Sequence, residues 1–501
     1  MWSDRSSQPT KLSECSNGLG LRKNTHRYLR GLPLVTGNYD LVVSSSTIVT
    51  PNGRRSGQIG VRQGRIVTIH DDKDPVKASR RIEAGDRPVI PGVIDTHVHF
   101  RDPGFTHKED FESGTRAAAA GGVTTVFDMP NVMPPTTNAA ALRSHLENAA
   151  AKAVVDFGHN ASAAEPDNIA ELAAAGATAF KIWMMPGAGG SMKDTGGTSV
   201  TDRAVLYRIF EEVHRTGLPL YVHPHDHELY NLFANREKQR SGRDFRAYAR
   251  AVRGGDSVIL NTGVAVALEM QRSVGTRLHV LHVASRESAR LVRAAKDLGR
   301  AVTAEANPYA LFVTNDWSNI ERLGPYALNV WTPERDAEAL WAALDDGTID
   351  VVASDHGPHT SEEKEVGWTD MFSAPAGTPF VEHYLRLFLT AVNAGRITLE
   401  RVVELCCTNP AKLTGLEGRK GSIAPGADAD LVVLDMDHEE VLAAANSHYR
   451  CGWASTEGMR TVGAPVITIR RGEVIMRDGK VDAEAGSGRL VTPCRGPWSE
   501  R

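Results

Sequence analysis

The sequence predicts a (β/α)8 TIM-like barrel joined to a small β-sandwich domain that is built from both chain ends. Between Val93 and Ser354, short β-branched runs alternate with Ala-rich helical stretches. Such alternation implies parallel βαβ units, and six or more of them with apolar interiors favour a closed barrel. A doubly wound open sheet is the alternative, but no Gly-rich phosphate-binding fingerprint opens a βα turn. On both sides of this region the chain is rich in β-forming residues.

The chain therefore divides into five predicted segments. The N-terminal extension, 1–37, is polar, lacks the apolar stretch of a secretory signal and is expected to be disordered; an organelle transit peptide is the weaker alternative. The other segments are the first part of the β-sandwich (38–90), the barrel (91–415), the second part of the β-sandwich (416–490) and a tail (491–501).

Similar hairpin patterns mark the two parts of the β-sandwich. Ile59–Val67 and Ile467–Ile475 each place a Gly-containing turn between two β-forming runs, and Pro51–Gly53 is a further turn signal. The match between the two patterns predicts that both chain ends meet in one domain.

Six β-branched runs follow Val93 in the barrel region and are predicted to be its strands. They are Val123–Asp128, Thr178–Trp183, Leu218–His223, Leu278–His282, Ala301–Glu305 and Ile349–Ser354. The polar segment from Asp226 to Thr276 is long for a barrel loop, so we expect it to add helices there.

Composition and charge exclude several classes of protein. The 501 residues carry a formal net charge of −4 with a sequence pI of about 6.5, which indicates neither nucleic-acid nor anionic-membrane binding. No apolar run approaches the roughly 20 residues that span a bilayer. The five cysteines form no Cys-x-x-Cys pair, as expected for reduced thiols in a cytoplasmic protein.

Potential metal ligands fall near the ends of predicted strands, where a barrel forms its active-site face. Asp95, His97 and His99 alternate along one strand end, so their side chains point the same way. Imidazole is the commonest metal ligand, and zinc binds it readily. A lone His is usually structural, whereas a series at successive strand ends indicates a metal site. The series comprises His97, His99, Lys181, His223, His282 and Asp355.

Lys181 would be repelled by metal ions if it were protonated. Its deprotonated amine can take up carbon dioxide and form a carbamate, whose two oxygens can bridge two divalent ions. Two ions about 3.5–4 Å apart can share a water and lower its pKa. A lysine that reaches solvent is the better interpretation of Lys181 alone, but beside four histidines and Asp355 the carbamate is favoured.

Asp355 is the predicted catalytic residue. It follows an apolar strand in Ala353-Ser-Asp-His-Gly-Pro-His359. A carboxylate beside an activated water can bind metal, take the proton during attack and return it to the leaving nitrogen. A turn-forming or helix-capping Asp is the alternative.

Three further residues indicate what the site binds. Arg101, Asn131 and His359 offer a guanidinium, a carboxamide and an imidazole, a set that suits a substrate carboxylate. The competing interpretation pairs Arg101 with a nearby acid, Asp102 or Glu109.

These residues belong to motifs that resemble the cyclic-amide-hydrolase branch of the amidohydrolase superfamily, and within it most of all dihydroorotases. The resemblance runs from about Tyr39 to Arg489. Its motifs are Asp95-Thr-His-Val-His-Phe-Arg-Asp-Pro-Gly-Phe-Thr-His-Lys-Glu-Asp110, Ala117-Ala-Ala-Ala-Gly-Gly-Val-Thr-Thr-Val126, Met129-Pro-Asn131, Ser354-Asp-His-Gly-Pro-His-Thr360, Ala374-Pro-Ala-Gly377, Thr408-Asn-Pro-Ala411 and Gly421-Ser-Ile-Ala-Pro-Gly-Ala-Asp-Ala-Asp-Leu431.

The resemblance implies two zinc ions and a proton-shuttling Asp355. It implies a homo-oligomer that acts on a small-molecule substrate, with the substrate carboxylate held by Arg101, Asn131 and His359. Hydantoinase-like and allantoinase-like members usually lack this Arg and Asn. The implied ligands are His97, His99, carboxylated Lys181 and Asp355 for one ion, and Lys181, His223 and His282 for the other.

The chain departs from the family pattern at positions expected around the substrate ring. His225 stands where a Glu is usual, and Tyr309 lies in an altered Asn307–Leu311 segment. Asn329 remains a candidate substrate contact, but the residues after it differ from the usual Asn-Pro-Pro-Leu-Arg. Trp331 in this segment either narrows the pocket, stacks on a flat ring or packs into the core.

Three other functions compete with a dihydroorotase-like one. A hydantoinase-like, dihydropyrimidinase-like or allantoinase-like hydrolase uses the same scaffold. A non-catalytic scaffold relative would have missing ligands, and none is missing here. A one-metal deaminase of the superfamily has no need of Lys181.

Overall fold

Eight parallel strands form the predicted barrel in a computed structural model, which describes residues 38–187, 197–327 and 330–493. The N-terminal extension, 1–37, the candidate substrate contact Asn329 and most of the predicted tail lie outside the described residues. Among the helices in the described part of the chain, none has the length and apolar character needed to cross a bilayer.

The strands form two sheets, an end sheet made from the strands before and after the barrel and the barrel sheet itself. The strands that precede the barrel are β1 (Tyr39–Thr50), β2 (Gly53–Arg62), β3 (Arg65–His70), β4 (Ala78–Glu83) and β5 (Val89–Pro91). The barrel strands are β6 (Val93–Val98), β7 (Val123–Asp128), β8 (Asp156–Ser162), β9 (Ala179–Trp183), β10 (Leu220–His223), β11 (Leu278–Val280), β12 (Val302–Ala306) and β13 (Val351–Val352). The strands that follow it are β14 (Leu431–Val441), β15 (Arg460–Arg470), β16 (Glu473–Arg477) and β17 (Lys480–Val481).

The barrel strands are ordered β6 to β13, each paired in parallel with the next. The first strand meets the segment after the last, where His99 N donates to His356 O at 2.7 Å. Asp95 supports this seam, because its buried carboxylate accepts from Ser354 N at 3.2 Å and from His97 N at 3.1 Å. Asp95 therefore holds the seam of the barrel together.

Helices connect the strands and cover the barrel. They are α1 (Phe111–Ala120), α2 (Ala139–Lys152), α3 (Ile169–Ala175), α4 (Arg203–Thr216), α5 (His227–Ser241), α6 (Phe245–Val274), α7 (Arg286–Asp297), α8 (Pro308–Phe312), α9 (Trp317–Leu323), α10 (Glu334–Asp345), α11 (Ser361–Glu365), α12 (Gly367–Asp370), α13 (Tyr384–Asn393), α14 (Leu399–Val403) and α15 (Asn409–Leu413). Glu404–Thr408 is a π-helical turn.

The insertion predicted between Asp226 and Thr276 consists of α5 and α6, as expected. Asp226 caps α5 by accepting from Leu229 N at 3.1 Å. The helix α6 is interrupted at Gly254–Ser257, where Gly255, Asp256 and Ser257 have φ values of 59°, 62° and 63°. This interruption breaks the long helix into two.

One barrel strand, β8, is absent from the predicted series. Its seven residues are all buried, but Asp156, His159 and Asn160 interrupt the apolar pattern by which the other strands are recognised. Asp156 is neutralised by Lys420, at 2.8 Å, and by Arg471. The polar residues of β8 are therefore buried because partners from outside the strand satisfy them.

Both chain ends meet in one nine-stranded mixed sheet, with β5 as the junction. It pairs with β1 through Ile48 and Val89 and with β14 through Val432 and Ile90. The two predicted hairpins are present, since β2 pairs with β3 and β15 with β16 in antiparallel fashion. Apolar side chains from both ends share one core, and β5 leads directly into the first barrel strand, β6.

Candidate active site

A cavity of about 560 Å³ lies at the carboxyl ends of the barrel strands. All six predicted metal ligands line it, and so do Arg101 and Asn131. This follows from topology, because parallel strands present their carboxyl ends on one face of a barrel. Residues far apart in sequence thus share one cavity.

His97, His99 and Asp355 converge on one point. Oδ1 of Asp355 lies 3.1 Å from Nε2 of His97 and 3.3 Å from Nε2 of His99. Burial lowers the pKa of His99 to about 3, which leaves its imidazole neutral, the form that binds metal. Burial acts to raise the pKa of Asp355, but His97 and His99 together hold it below its usual range. Three donors at these distances fit an ion to which each binds at about 2.0–2.2 Å.

Two buried side chains orient these histidines. Oε1 of Glu305 lies 2.9 Å from Nδ1 of His97, and Oδ1 of Asn131 lies 2.6 Å from Nδ1 of His99. With Nδ1 as the donor, Nε2 of each ring carries the lone pair and faces the convergence point. Sequence reasoning overlooked Glu305, although an acid at the end of the predicted strand 301–305 fits the series of strand-end ligands.

Lys181 is fully buried, and its Nζ has no hydrogen-bond partner among the described residues. Burial lowers the pKa of its amine to about 7, although Asp355 and Glu305 act to raise it. The nitrogen lies 4.3 Å from the centroid of the Trp183 ring. An unpartnered buried amine is unfavourable, and this one lies among the predicted metal ligands.

His223 and His282 form the opposite side of the cluster. Nδ1 of His223 and Nε2 of His282 lie 2.7 Å apart, and the ring centroids of His97 and His282 lie 6.1 Å apart. Left-handed φ values occur at His282 (36°), Asp355 (49°) and Arg101 (64°). Such backbone costs about 1–3 kcal/mol per non-Gly residue and is concentrated at functional sites.

Arg101 lies in the cavity wall with 3% of its surface exposed. Its Nε donates to Pro358 O at 3.3 Å, and its Nη2 lies 3.2 Å from Nε2 of His359. Nδ1 of His359 lies 3.3 Å from Nζ of Lys108 and 3.5 Å from the carboxylate of Glu363, so the ring is held between Arg101 on one side and this ion pair on the other. His359 therefore supports the guanidinium from behind, while Arg101 itself faces the cavity.

The two acids considered as partners of Arg101 have other partners. Asp102 pairs with Lys152 at 2.7 Å, and Glu109 accepts from Ser113. Both acids are therefore satisfied by side chains other than Arg101.

The departures from the family pattern fall in different places. His225 and Tyr309 line the cavity, as their sequence positions predict. Trp331 packs against Trp317 with ring centroids 4.9 Å apart, which supports the core-packing interpretation.

A group of aromatic residues also lines the cavity, and most of them come from the insertion. Tyr230, Tyr248 and Phe372 line it, and the rings of Tyr248 and Phe372 lie 5.3 Å apart. Lys238 places its Nζ 4.4 Å from the centroid of Phe372. The cavity lining thus combines the polar predicted metal ligands with a group of aromatic side chains.

The amidohydrolase family model matches residues 89–475. An L-hydantoinase from Paenarthrobacter aurescens is 36% identical over 91% of this chain and 98% of the relative. A dihydroorotase from Methanosarcina acetivorans is 32% identical over 90% and 95%, respectively. The chain belongs to the amidohydrolase family. An allantoinase from Streptomyces avermitilis is also similar, with 34% identity over 90% of the chain and 98% of that protein.

A solved structure supports the same branch of the amidohydrolase family. The L-hydantoinase (dihydropyrimidinase) from Arthrobacter aurescens matches with a TM-score of 0.85 and 34% identity, over 91% of this chain and 100% of that one. The predicted barrel fold and the predicted cyclic-amide-hydrolase branch are both confirmed. The chain is accordingly a hydrolase of cyclic-amide carbon–nitrogen bonds. The described residues include a candidate metal cluster in its cavity, His97, His99 and Asp355.

Proposed function

We propose that this amidohydrolase opens the ring of a cyclic amide that carries a carboxylate, with dihydroorotate as the reference substrate. The observation that carries the proposal is the buried guanidinium of Arg101 in the wall of the cavity that contains the metal ligands. A desolvated guanidinium binds a carboxylate strongly and in a fixed orientation. Asn131 lines the same wall and can add a donor from its amide nitrogen.

The residues present fit two divalent ions, for which zinc is the best candidate, and a carboxylated Lys181. His97, His99 and Asp355 would hold one ion, His223 and His282 the other, with the Lys181 carbamate between them. The unpartnered Nζ of Lys181 supports this assignment, since a pKa near 7 leaves much of the amine neutral and able to react with carbon dioxide. When bound, such ions activate a water and polarise the substrate carbonyl.

Asp355 is the proposed proton carrier. Its Oδ1 faces the convergence point of the two histidines, so it can accept the proton of the attacking water. The same oxygen can then deliver the proton to the ring nitrogen as the carbon–nitrogen bond breaks. Arg101 meanwhile fixes the substrate through its carboxylate, at the side of the cavity next to His99.

A hydantoinase-like function is the second candidate. It is favoured by the aromatic part of the cavity lining, where Tyr230, Tyr248 and Phe372 can pack against an apolar ring substituent. Several of the similar proteins also carry the name hydantoinase. The homo-oligomeric state and the cytoplasmic location expected from the sequence remain predictions.

A substrate panel separates the two candidates. Initial rates of the metal-loaded enzyme are compared for dihydroorotate, dihydrouracil, a 5-arylmethyl hydantoin and allantoin. The proposal expects dihydroorotate to give the largest kcat/KM. A larger value for the substituted hydantoin would replace it with the second candidate, and turnover of allantoin alone would exclude both.

A further inference from the structure

A second group of metal-ligating side chains lies outside the cavity described above. It consists of Asp128 at the end of β7, His145 on α2 and His159 on β8, and we call it the Asp128 cluster. All three residues are buried, with at most 2% of their surface exposed. None of the three lines the active-site cavity.

The spacing within the Asp128 cluster suits a metal ion. Oδ2 of Asp128 lies 3.3 Å from Nε2 of His145 and 3.8 Å from Nδ1 of His159. The corresponding distances from Asp355 to His97 and His99 are 3.1 and 3.3 Å. Donors spaced in this way can each approach a shared zinc ion to about 2.0–2.2 Å.

A second observation also points to a ligand. Oδ2 of Asp128, both ring nitrogens of His145 and Nδ1 of His159 are buried without a hydrogen bond to any described residue. Buried polar atoms are almost always satisfied in folded proteins, and each exception requires an explanation. An ion bound between the three side chains would satisfy three of these four atoms at once.

The surroundings hold the donors in the orientation that binding requires. Nε2 of His159 lies 2.7 Å from Oγ1 of Thr136, which fixes the ring and directs Nδ1 towards Asp128. Such outer hydrogen bonds are typical of metal-ligating histidines. The ring of Phe111 packs edge-on against His145 at 5.3 Å.

We propose that Asp128, His145 and His159 bind one divalent transition-metal ion, for which zinc fits the donor set best, as a structural site separate from the active site. Two imidazoles and one carboxylate are donors that zinc accepts, and a water can complete the tetrahedron.

The proposed site is linked to the active site through one hydrogen bond. Oδ1 of Asp128 accepts from the backbone N of Phe100 at 2.9 Å, and Phe100 lies between His99 and Arg101. An ion bound to Oδ2 therefore fixes the carboxylate of Asp128, which in turn holds the backbone at Phe100. The proposed site stabilises the position of Arg101 without contacting substrate.

The test counts metal ions per chain in the zinc-loaded holoenzyme by plasma mass spectrometry. Wild type is compared with His145→Leu and His159→Leu, and the exposed His214→Leu on α4 is the matched control. We expect each of the two cluster variants to contain one ion fewer than wild type and the control to equal wild type. Equal metal content in all four proteins would overturn the proposal.

A crystal of the wild-type holoenzyme decides the question if the variants do not fold. Anomalous diffraction at the zinc edge should show a peak between the three side chains. A water or no density there overturns the proposal. This test is independent of the active-site assignment. A peak at the Asp128 cluster without a peak at His97 and His99 would support the structural site and contradict the proposed function.

Discussion

The buried carboxylate of Glu305 lies 2.9 Å from Nδ1 of His97. This contact places the proton of the imidazole on Nδ1, so that Nε2 carries a lone pair directed at Asp355. Oε1 of Glu305 also accepts from Nδ2 of Asn307 at 3.1 Å, which fixes the carboxylate itself. The geometry of the candidate metal cluster therefore depends on a residue that does not belong to it.

Replacing Glu305 with Gln should weaken metal binding by about 10- to 100-fold, the usual cost of losing an outer partner of a metal-ligating His. The affinity is measured by competition with a chelator. Glu382→Gln, which changes another buried carboxyl group, is the matched control and should bind metal as wild type does. Unchanged affinity in Glu305→Gln would show that His97 needs no such partner.

Replacing Lys181 with Gly should remove bound metal and lower kcat by at least about 1,000-fold, because the Lewis-acid contribution of several kcal/mol is lost. A short carboxylic acid such as propionate should restore part of both, since its carboxylate can occupy the emptied space. Lys181→Met leaves no such space and should not respond to propionate. Full metal content in Lys181→Gly would contradict the carbamate assignment.

Asp355→Asn should reduce kcat by about 100- to 10,000-fold, the range of general acid–base catalysis, while most of the metal stays bound to the remaining ligands. Rates and metal content are measured on the same preparation. A variant that retains its metal and keeps more than a tenth of wild-type activity would remove Asp355 from the proton-transfer step.

The buried Lys364 should make the free energy of unfolding depend on pH. Its buried amine donates to Pro375 O at 2.9 Å, and burial lowers its pKa from 10.5 to about 7. Between these values the unfolded chain binds a proton that the folded chain does not, so stability rises with pH from about 7 towards 10. The slope is at most about 1.4 kcal/mol per pH unit.

The measurement is the free energy of unfolding in denaturant at pH 7 and pH 9. The free energy of unfolding of wild type should exceed that of Lys364→Met by more at pH 9 than at pH 7. The exposed Lys480→Met should have the same free energy of unfolding as wild type at both values. An advantage that stays the same at pH 7 and pH 9 would mean that Lys364 is protonated in the folded protein at both values.

Much of the architecture is predictable from local pattern. Parallel βαβ units leave alternating β-branched and Ala-rich runs in the sequence, and a barrel then brings strand ends together. This is why the six predicted ligands, Arg101 and Asn131 lie in one cavity, although His97 and Asp355 are 258 positions apart in the sequence. The hairpin patterns predict the end sheet in the same way.

What the sequence did not reveal depends on tertiary partners. Strand β8 contains polar residues and so lacks the apolar pattern of a buried strand. Its Asp156 can be buried only because Lys420, from a distant segment, pairs with it. Glu305 acquires its role only when β12 lies beside His97, and His145 faces Asp128 only because α2 packs against the barrel. The position of His359 behind Arg101 likewise follows from the loop after β13 and not from its motif.

The central claim is that Arg101 binds a substrate carboxylate, and one comparison tests it directly. Dihydroorotate and dihydrouracil share a ring and differ in the carboxylate, so kcat/KM is measured for both with wild type and with Arg101→Gln. The account predicts that the variant loses about 100-fold with dihydroorotate, as expected for a buried charge-assisted contact, and changes little with dihydrouracil. An equal loss with both substrates, or a wild type that prefers dihydrouracil, would contradict it.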